Sequence, residues 1–168
     1  MSGFLKKFYK RKDPSLTMFY KKTGANIGNN CSFIGYNINF GSEPYLVTIG
    51  NNVRVSFNVT FITHDGGVHV LRNELPNLTI YGPITIGNNC FIGANVTILP
   101  NVTIGDNCII GAGSIVTKNV KNNSVVAGVP AKYICSIEEY KNKNRDKFSY
   151  LLNKSYEERK RILLEGKK

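Results

Sequence analysis

Tryptophan is absent from the 168-residue chain, and histidine occurs only twice, at His64 and His69. A metal site built on three histidines is therefore excluded by count, and no metal is expected. Only four cysteines are present, and none has the C-x-x-C spacing of a metal or redox motif. Cys31, Cys90 and Cys108 each fall four residues after an isoleucine (Ile27, Ile86, Ile104), a spacing that turns them inward as small core hydrophobes. Cys90 and Cys108 are expected to stack about 4.8 Å apart, the spacing of adjacent strands. No apolar run approaches the ~20 residues that cross a bilayer, and the lysine-rich start has no apolar signal-peptide segment. These absences point to the cytoplasm.

Acidic residues are also scarce, 11 against 22 Lys and Arg, for a formal charge of +11. The excess is confined to the ends. Residues 1–22 carry a net +6 and residues 132–168 a net +5, whereas residues 23–131 are neutral. A nucleic-acid face needs its charge spread over the folded body with stacking aromatics, so nucleic acid is not an expected partner. Two readings of the tails stay open: solubilising surface, or attraction to an anionic glycan, nucleotide phosphate or the inner face of a membrane. Phe4, Phe8, Tyr9, Phe19 and Tyr20 fit a peripheral membrane contact or a cap on one end of the fold equally well.

What the chain does have is a period of six. Ile80, Ile86, Ile92, Ile98, Ile104, Ile110 and Val116 recur without a break. A second small residue, at Cys90, Val96, Val102, Cys108, Ser114 and Val120, follows four positions later. Neither a helix nor a simple strand repeats this way. Hexads with β-branched residues at a fixed position, followed by glycine at Gly87, Gly93, Gly105 and Gly111, are the signature of a parallel β-helix. Each hexad forms one flat side of a prism, three sides close a coil, and residues 18 apart stack.

The breaks in the period divide the chain. Residues 1–24 are a basic N-terminal segment, and residues 25–135 form the β-helix. The register slips at Ile34-Gly35 and resumes at Ile49, Val55 and Phe61, with Val53 and Val59 at the small position. It is lost again until Ile80, so the polar stretch 65–79 reads as a loop leaving the prism, and loops of this length are usually functional or disordered. The sequence AGVPAKYI turns the chain off the stack. Residues 136–168 are a charged helical tail in which Ser136 with Glu139 fits a capping box. A second helix starts at Ser155, with Ile162 and Leu163 available to dock.

His64 stands where the prism gives way to the loop. It lies three residues past an inward position and is therefore not a core residue. It is either a polar residue that starts a turn or a general base, since histidine titrates near neutral pH.

The segments THDGGVHVLR, PITIGNNCFIGANVTILPNVTIGDNCIIGAGSIVTKNV and AGVPAKYI together resemble the hexapeptide-repeat acyltransferases. The branch they resemble is the galactoside and maltose O-acetyltransferases and their relatives that decorate surface polysaccharides. The resemblance covers roughly residues 25–135. It implies an all-β, left-handed parallel β-helix with three hexads per coil and a short C-terminal α-helical segment. It also implies a homotrimer with active sites between subunits, and acetyl-CoA as co-substrate. The expected activity is direct transfer of acetyl to a sugar hydroxyl, in capsule, O-antigen or related polysaccharide biosynthesis. His64, not His69, matches the catalytic histidine. Phe91 matches an aromatic beside the pantetheine arm, and a backbone N–H near Ala94 matches the oxyanion donor. Ala112 and Thr117 match cofactor contacts, and Lys118 and Lys132 match basic positions suited to the phosphates of CoA. Glu43 matches an acidic residue that bonds the acceptor or steadies the histidine. Arg72 matches a loop arginine that binds the acceptor or anchors the loop. Most of the N-terminal helical segment that serves sugar recognition in the galactoside and maltose enzymes has no counterpart here, so the acceptor is expected to differ from theirs. An N-acetyltransferase of amino-sugar nucleotides and a non-catalytic scaffold are the alternatives. The hexapeptide-repeat carbonic anhydrases are set aside because they need three histidines.

Overall fold

The computed structural model describes residues 14–166, and they form a stack of short parallel strands in three sheets. Phe4, Phe8 and Tyr9 lie outside the described residues. The first sheet takes β1 (Asn26–Ile27), β3 (Val47–Ile49), β6 (Ile84–Ile86) and β9 (Thr103–Ile104) in that order. The second runs from β2 (Ser32–Phe33) through β4 (Arg54–Val55), β7 (Phe91–Ile92) and β10 (Ile109–Ile110) to β12 (Ser124–Ala127) and β13 (Lys132–Ser136). The third holds β5 (Thr60–Phe61), β8 (Thr97–Ile98) and β11 (Ile115–Val116). The chain visits the sheets in rotation. Thr85 pairs with Thr103, Phe91 with Ile109 and Thr97 with Ile115, each 18 residues on.

The hexad residues point inward as the period requires. Ile86, Ile92, Ile98, Ile104, Ile110 and Val116 are all buried, as are Cys90, Val96, Val102, Cys108, Ser114 and Val120. Burying one such aliphatic side chain is worth about 1.5–3 kcal/mol, and the stack repeats that gain along a single column. The cysteines are free thiols, with Cys31 half-buried.

The register differs from the sequence reading in two places. Phe33, not Ile34, fills the position six after Ile27 and pairs through β2 with β4. The extra residue enters between Phe33 and Phe40, whose ring stacks on that of Phe61 at 4.8 Å. Second, Ile80 is 44% exposed and lies outside the prism. Its six-residue distance from Ile86 is coincidental. The chain re-enters at Ile84, which is fully buried and pairs with Val47.

Corners between the first and second sheets are built by asparagine. Asn30, Asn52, Asn89, Asn107 and Asn123 have φ between 54° and 59°, a left-handed conformation that asparagine tolerates better than most residues. Their amides form a ladder: Asn52 donates to Asn89 at 2.7 Å, Asn89 to Asn107 at 2.8 Å and Asn107 to Asn123 at 3.0 Å.

Both ends of the stack are closed. At one end α1 (Pro14–Lys21) places Tyr20, 1% exposed, against Phe33 and Phe40. The Tyr20 hydroxyl donates to the Gly35 carbonyl and accepts from the Ile38 N–H. Tyr20 and Leu16 therefore act as a cap, while Phe19 stays 47% exposed. At the other end β13 turns back antiparallel on β12. Two capped helices follow, α2 (Ile137–Asn144) and α3 (Tyr156–Glu165), with capping boxes at Ser136/Glu139 and Ser155/Glu158. Of the two α3 residues available to dock, Ile162 is half-buried beside Phe148 and Leu151, whereas Leu163 is 67% exposed, and no residue of the helix is fully buried.

Replacing Asn89 separates the two roles of the ladder. Asn89→Ala is expected to cost about 2–3 kcal/mol, from a strained left-handed backbone and lost amide bonds. Asn89→Gly keeps the backbone relaxed and should cost about 1 kcal/mol. Thermal and urea unfolding of both variants test this, and equal losses would remove the backbone from the explanation.

Candidate active site

Three residues from two successive coils meet at the corner between the third and first sheets. Thr63 and His64 follow β5, and Glu43 holds the equivalent place one coil earlier, just before the short 3-10 turn Pro44–Leu46. His64 Nδ1 lies 3.2 Å from Glu43 Oε2, and the Thr63 hydroxyl donates to the same oxygen at 3.0 Å. Thr63 is fully buried, the Glu43 side chain is 14% exposed and the His64 side chain 46% exposed. The dyad therefore has a fixed inner end and an open outer end.

Glu43 is held below the usual carboxylate range. The Ser42 hydroxyl is the largest cause, followed, against partial desolvation, by the bonds from Thr63 and His64. An ionised carboxylate only accepts hydrogen bonds, so the His64 nitrogen facing it is the protonated one. Nδ1 of the neutral ring then carries the hydrogen, leaving the Nε2 lone pair away from Glu43. That is the tautomer a proton acceptor needs.

The loop after His64 is locally ordered. Asp65 caps the 3-10 turn Gly66–Leu71 by accepting from the Gly67 N–H at 2.8 Å. Arg72 donates through Nε to the Leu78 carbonyl at 3.1 Å, so it braces the loop. The chain returns beside its point of departure. Asp65 N–H donates to the Ile80 carbonyl, Gly82 N–H donates to the Thr63 carbonyl, and His64 forms an antiparallel bridge with Tyr81. The excursion thus extends three residues past 79. His69 is exposed within the turn.

The remaining candidates fall in four places. Thr117 and Lys118, both exposed, follow β11 at the same corner as His64, two coils further along, a rise of roughly 10 Å. Phe91 is 40% exposed on the outer surface of the second sheet, opening a recess of about 400 Å³ with Arg54, Ile109 and Ile137. Ala94 and Ala112 occupy the next corner, between the second and third sheets, in adjacent coils joined by the Gly113 N–H and the Ala94 carbonyl at 2.8 Å. The relief there is low by necessity, since a Cβ on Gly93 would lie 2.6 Å from the Ala112 nitrogen. Lys132 opens β13, exposed, opposite Ala127. Within one chain the third sheet stands between the His64 corner and the Ala94–Ala112 corner.

Thr63 and Tyr81 were not among the residues expected from sequence. Thr63 sits two residues past inward Phe61, where strand alternation directs a side chain inward. Tyr81 follows Ile80, whose six-residue distance from Ile86 mimics a place in the prism.

A model of the bacterial transferase hexapeptide family (six repeats) matches residues 77–118. Protein CapG of Staphylococcus aureus is 48% identical over 145 residues, 86% of this chain and 84% of CapG. The chain belongs to the hexapeptide-repeat transferase family. It is also 44% identical over 135 residues to the galactoside O-acetyltransferase of Escherichia coli (strain K12), covering 78% of this chain and 62% of that one. A solved structure of a galactoside acetyltransferase in complex with coenzyme A matches with a TM-score of 0.55 at 40% identity, over 78% of this chain and 62% of that chain.

The lowered pKa of Glu43 gives a signed expectation. A carboxyl whose folded pKa lies below its ordinary value, near 4.5, contributes stability that is present above that value and is lost as pH falls through the lowered one. Glu43→Gln should therefore be less stable by an amount that is constant above about pH 5 and shrinks at lower pH. Denaturation midpoints of both proteins from neutral pH downward measure it. A gap undiminished in acid would show that the carboxylate charge is not its source.

Proposed function

We propose that this protein is an acetyl-CoA-dependent O-acetyltransferase that acts on a sugar hydroxyl of a surface polysaccharide or its precursor. The observation that carries the reading is the Glu43–His64 pair at the break in the hexads, with Nδ1 bound and Nε2 turned away from the carboxylate. His64 accepts the hydroxyl proton at Nε2 as the sugar oxygen bonds to the acetyl carbon, and returns it to the sulfur as the thioester C–S bond breaks. Glu43 steadies the imidazolium formed between those events and holds the ring in place. The galactoside acetyltransferase that carries coenzyme A supports acetyl-CoA as the donor.

The domain plan is a basic N-terminal segment, a transferase prism and a helical tail. The prism is a left-handed β-helix with three hexads per coil, supported by the 18-residue register and by the family. The active unit is a homotrimer. Ala94 and Ala112 line one edge of the third sheet, with Phe91 beside them on the second, while His64, Thr117 and Lys118 line the other edge. A three-fold ring with that sheet facing the axis joins unlike edges of neighbouring copies and completes each site between them. Lys118 and Lys132 then serve as point charges for the CoA phosphates, and a backbone N–H near Ala94 serves the thioester oxyanion. Arg72 acts through the loop that it braces. No helix among the described residues is long and apolar enough to cross a membrane, and the protein works in the cytoplasm or at the inner face of the membrane.

Thiol release from acetyl-CoA with a panel of activated and lipid-linked sugars tests the reading. His64→Ala should lower kcat by about 10²–10⁴-fold, the usual contribution of a general base. Glu43→Gln should lower it less, by about tenfold, and should shift the acid limb of the pH profile. Sugar-dependent turnover that survives His64→Ala would sink the assignment.

A further inference from the structure

We propose that Tyr81 is a specificity-determining residue whose ring forms one wall of the acceptor site and stacks on the C–H face of a pyranose. The proposal rests on the acetyltransferase reading above and goes beyond it by naming the shape of acceptor the corner takes.

The geometry begins with the backbone. His64 and Tyr81 are directly opposite in an antiparallel bridge, and the flanking bonds run from Asp65 N–H to the Ile80 carbonyl and from Gly82 N–H to the Thr63 carbonyl. That pattern makes His64 and Tyr81 a non-hydrogen-bonded pair, the closer of the two antiparallel arrangements, with Cα atoms about 4.5 Å apart and both side chains on one face. The rings meet edge to face, centroids 6.3 Å apart at 67°. His64 is anchored at Nδ1 by Glu43, whereas Tyr81 is 52% exposed. A molecule presenting a hydroxyl to Nε2 must therefore approach alongside the tyrosine ring.

A half-exposed aromatic ring beside a proton acceptor suits a ligand with one apolar face and one polar edge. A pyranose has both: axial C–H bonds on a face and hydroxyls around the rim. An open-chain polyol carries the same hydroxyls but no rigid C–H face. The backbone bridge fixes the main chain of Tyr81, so only two side-chain torsions are left to order when the ring packs on a ligand.

The test uses the intact protein, acetyl-CoA, and methyl hexopyranosides against the matching open-chain hexitols, read by thiol release. The parent protein should prefer the pyranosides. Tyr81→Leu should lower kcat/KM for pyranosides about tenfold, the equivalent of one lost stacking contact, while hexitol turnover and the KM for acetyl-CoA stay unchanged. Tyr81→Phe, which keeps the ring, should behave like the parent. Tyr81→Ile, β-branched and suited to the bridge, repeats the measurement if the leucine variant folds poorly. Equal losses on both acceptor types would make Tyr81 a support for His64 and overturn the proposal, as would an unchanged preference. Either result leaves the transferase reading standing. If the parent releases no more thiol than His64→Ala with any acceptor, that reading fails and this proposal with it.

Discussion

Each coil of this protein is held in place by the coil beneath it. Parallel backbone bonds tie every strand to its counterpart in the adjacent coil, and the inward side chains stack in the same column. A residue cannot be added within a flat side without turning every later side chain to the wrong face. Length changes are therefore admitted only at corners. The same closeness explains the corner residues. A Cβ on Gly87 would come within 2.8 Å of the Gly105 backbone, and the corner asparagines must take a left-handed backbone to turn the chain.

That constraint places the chemistry. Glu43 and His64 are 21 residues apart, yet they hold equivalent corners of successive coils and so face each other at 3.2 Å. The buried Thr63 hydroxyl bonds the same carboxylate oxygen from inside the prism. One anionic acceptor, fixed by inner donors, decides which nitrogen of His64 carries its hydrogen. The long excursion begins at this corner because a corner can absorb it, and it returns beside His64 through Tyr81. The flat sides stay uninterrupted, and Ala94 and Ala112 remain in adjacent coils along a smooth edge.

Much of this was legible in the hexads. The inward residues from Ile86 onward, the free buried cysteines, the position of His64 at the break and the capping box at Ser136 all follow from local spacing. The errors share a cause. Ile80 looks like a hexad residue because an isoleucine stands at the right phase, and Ile34 reads as a hexad slipped by one, but phase carries no information across an insertion. Phe33 and Ile84 take those places because their backbones pair with β4 and β3. Thr63 and Tyr81 were missed for a related reason: their importance lies in contacts made across the corner. Leu163 belongs to a helix whose caps are local and whose packing is not.

The amino-acid sequence by itself determined the period, the inward residue types and the places where the repeat must break, because these depend on neighbours six residues away or fewer. Tertiary structure alone decided that Glu43 meets His64, that Arg72 braces its own loop, that α1 plugs one end with Tyr20, and that the Ala94–Ala112 edge is separated from His64 by the third sheet. Those outcomes depend on which coils become adjacent. Adjacency is set by the lengths of the insertions at the corners and by the pairing that follows them, and neither is encoded in the period.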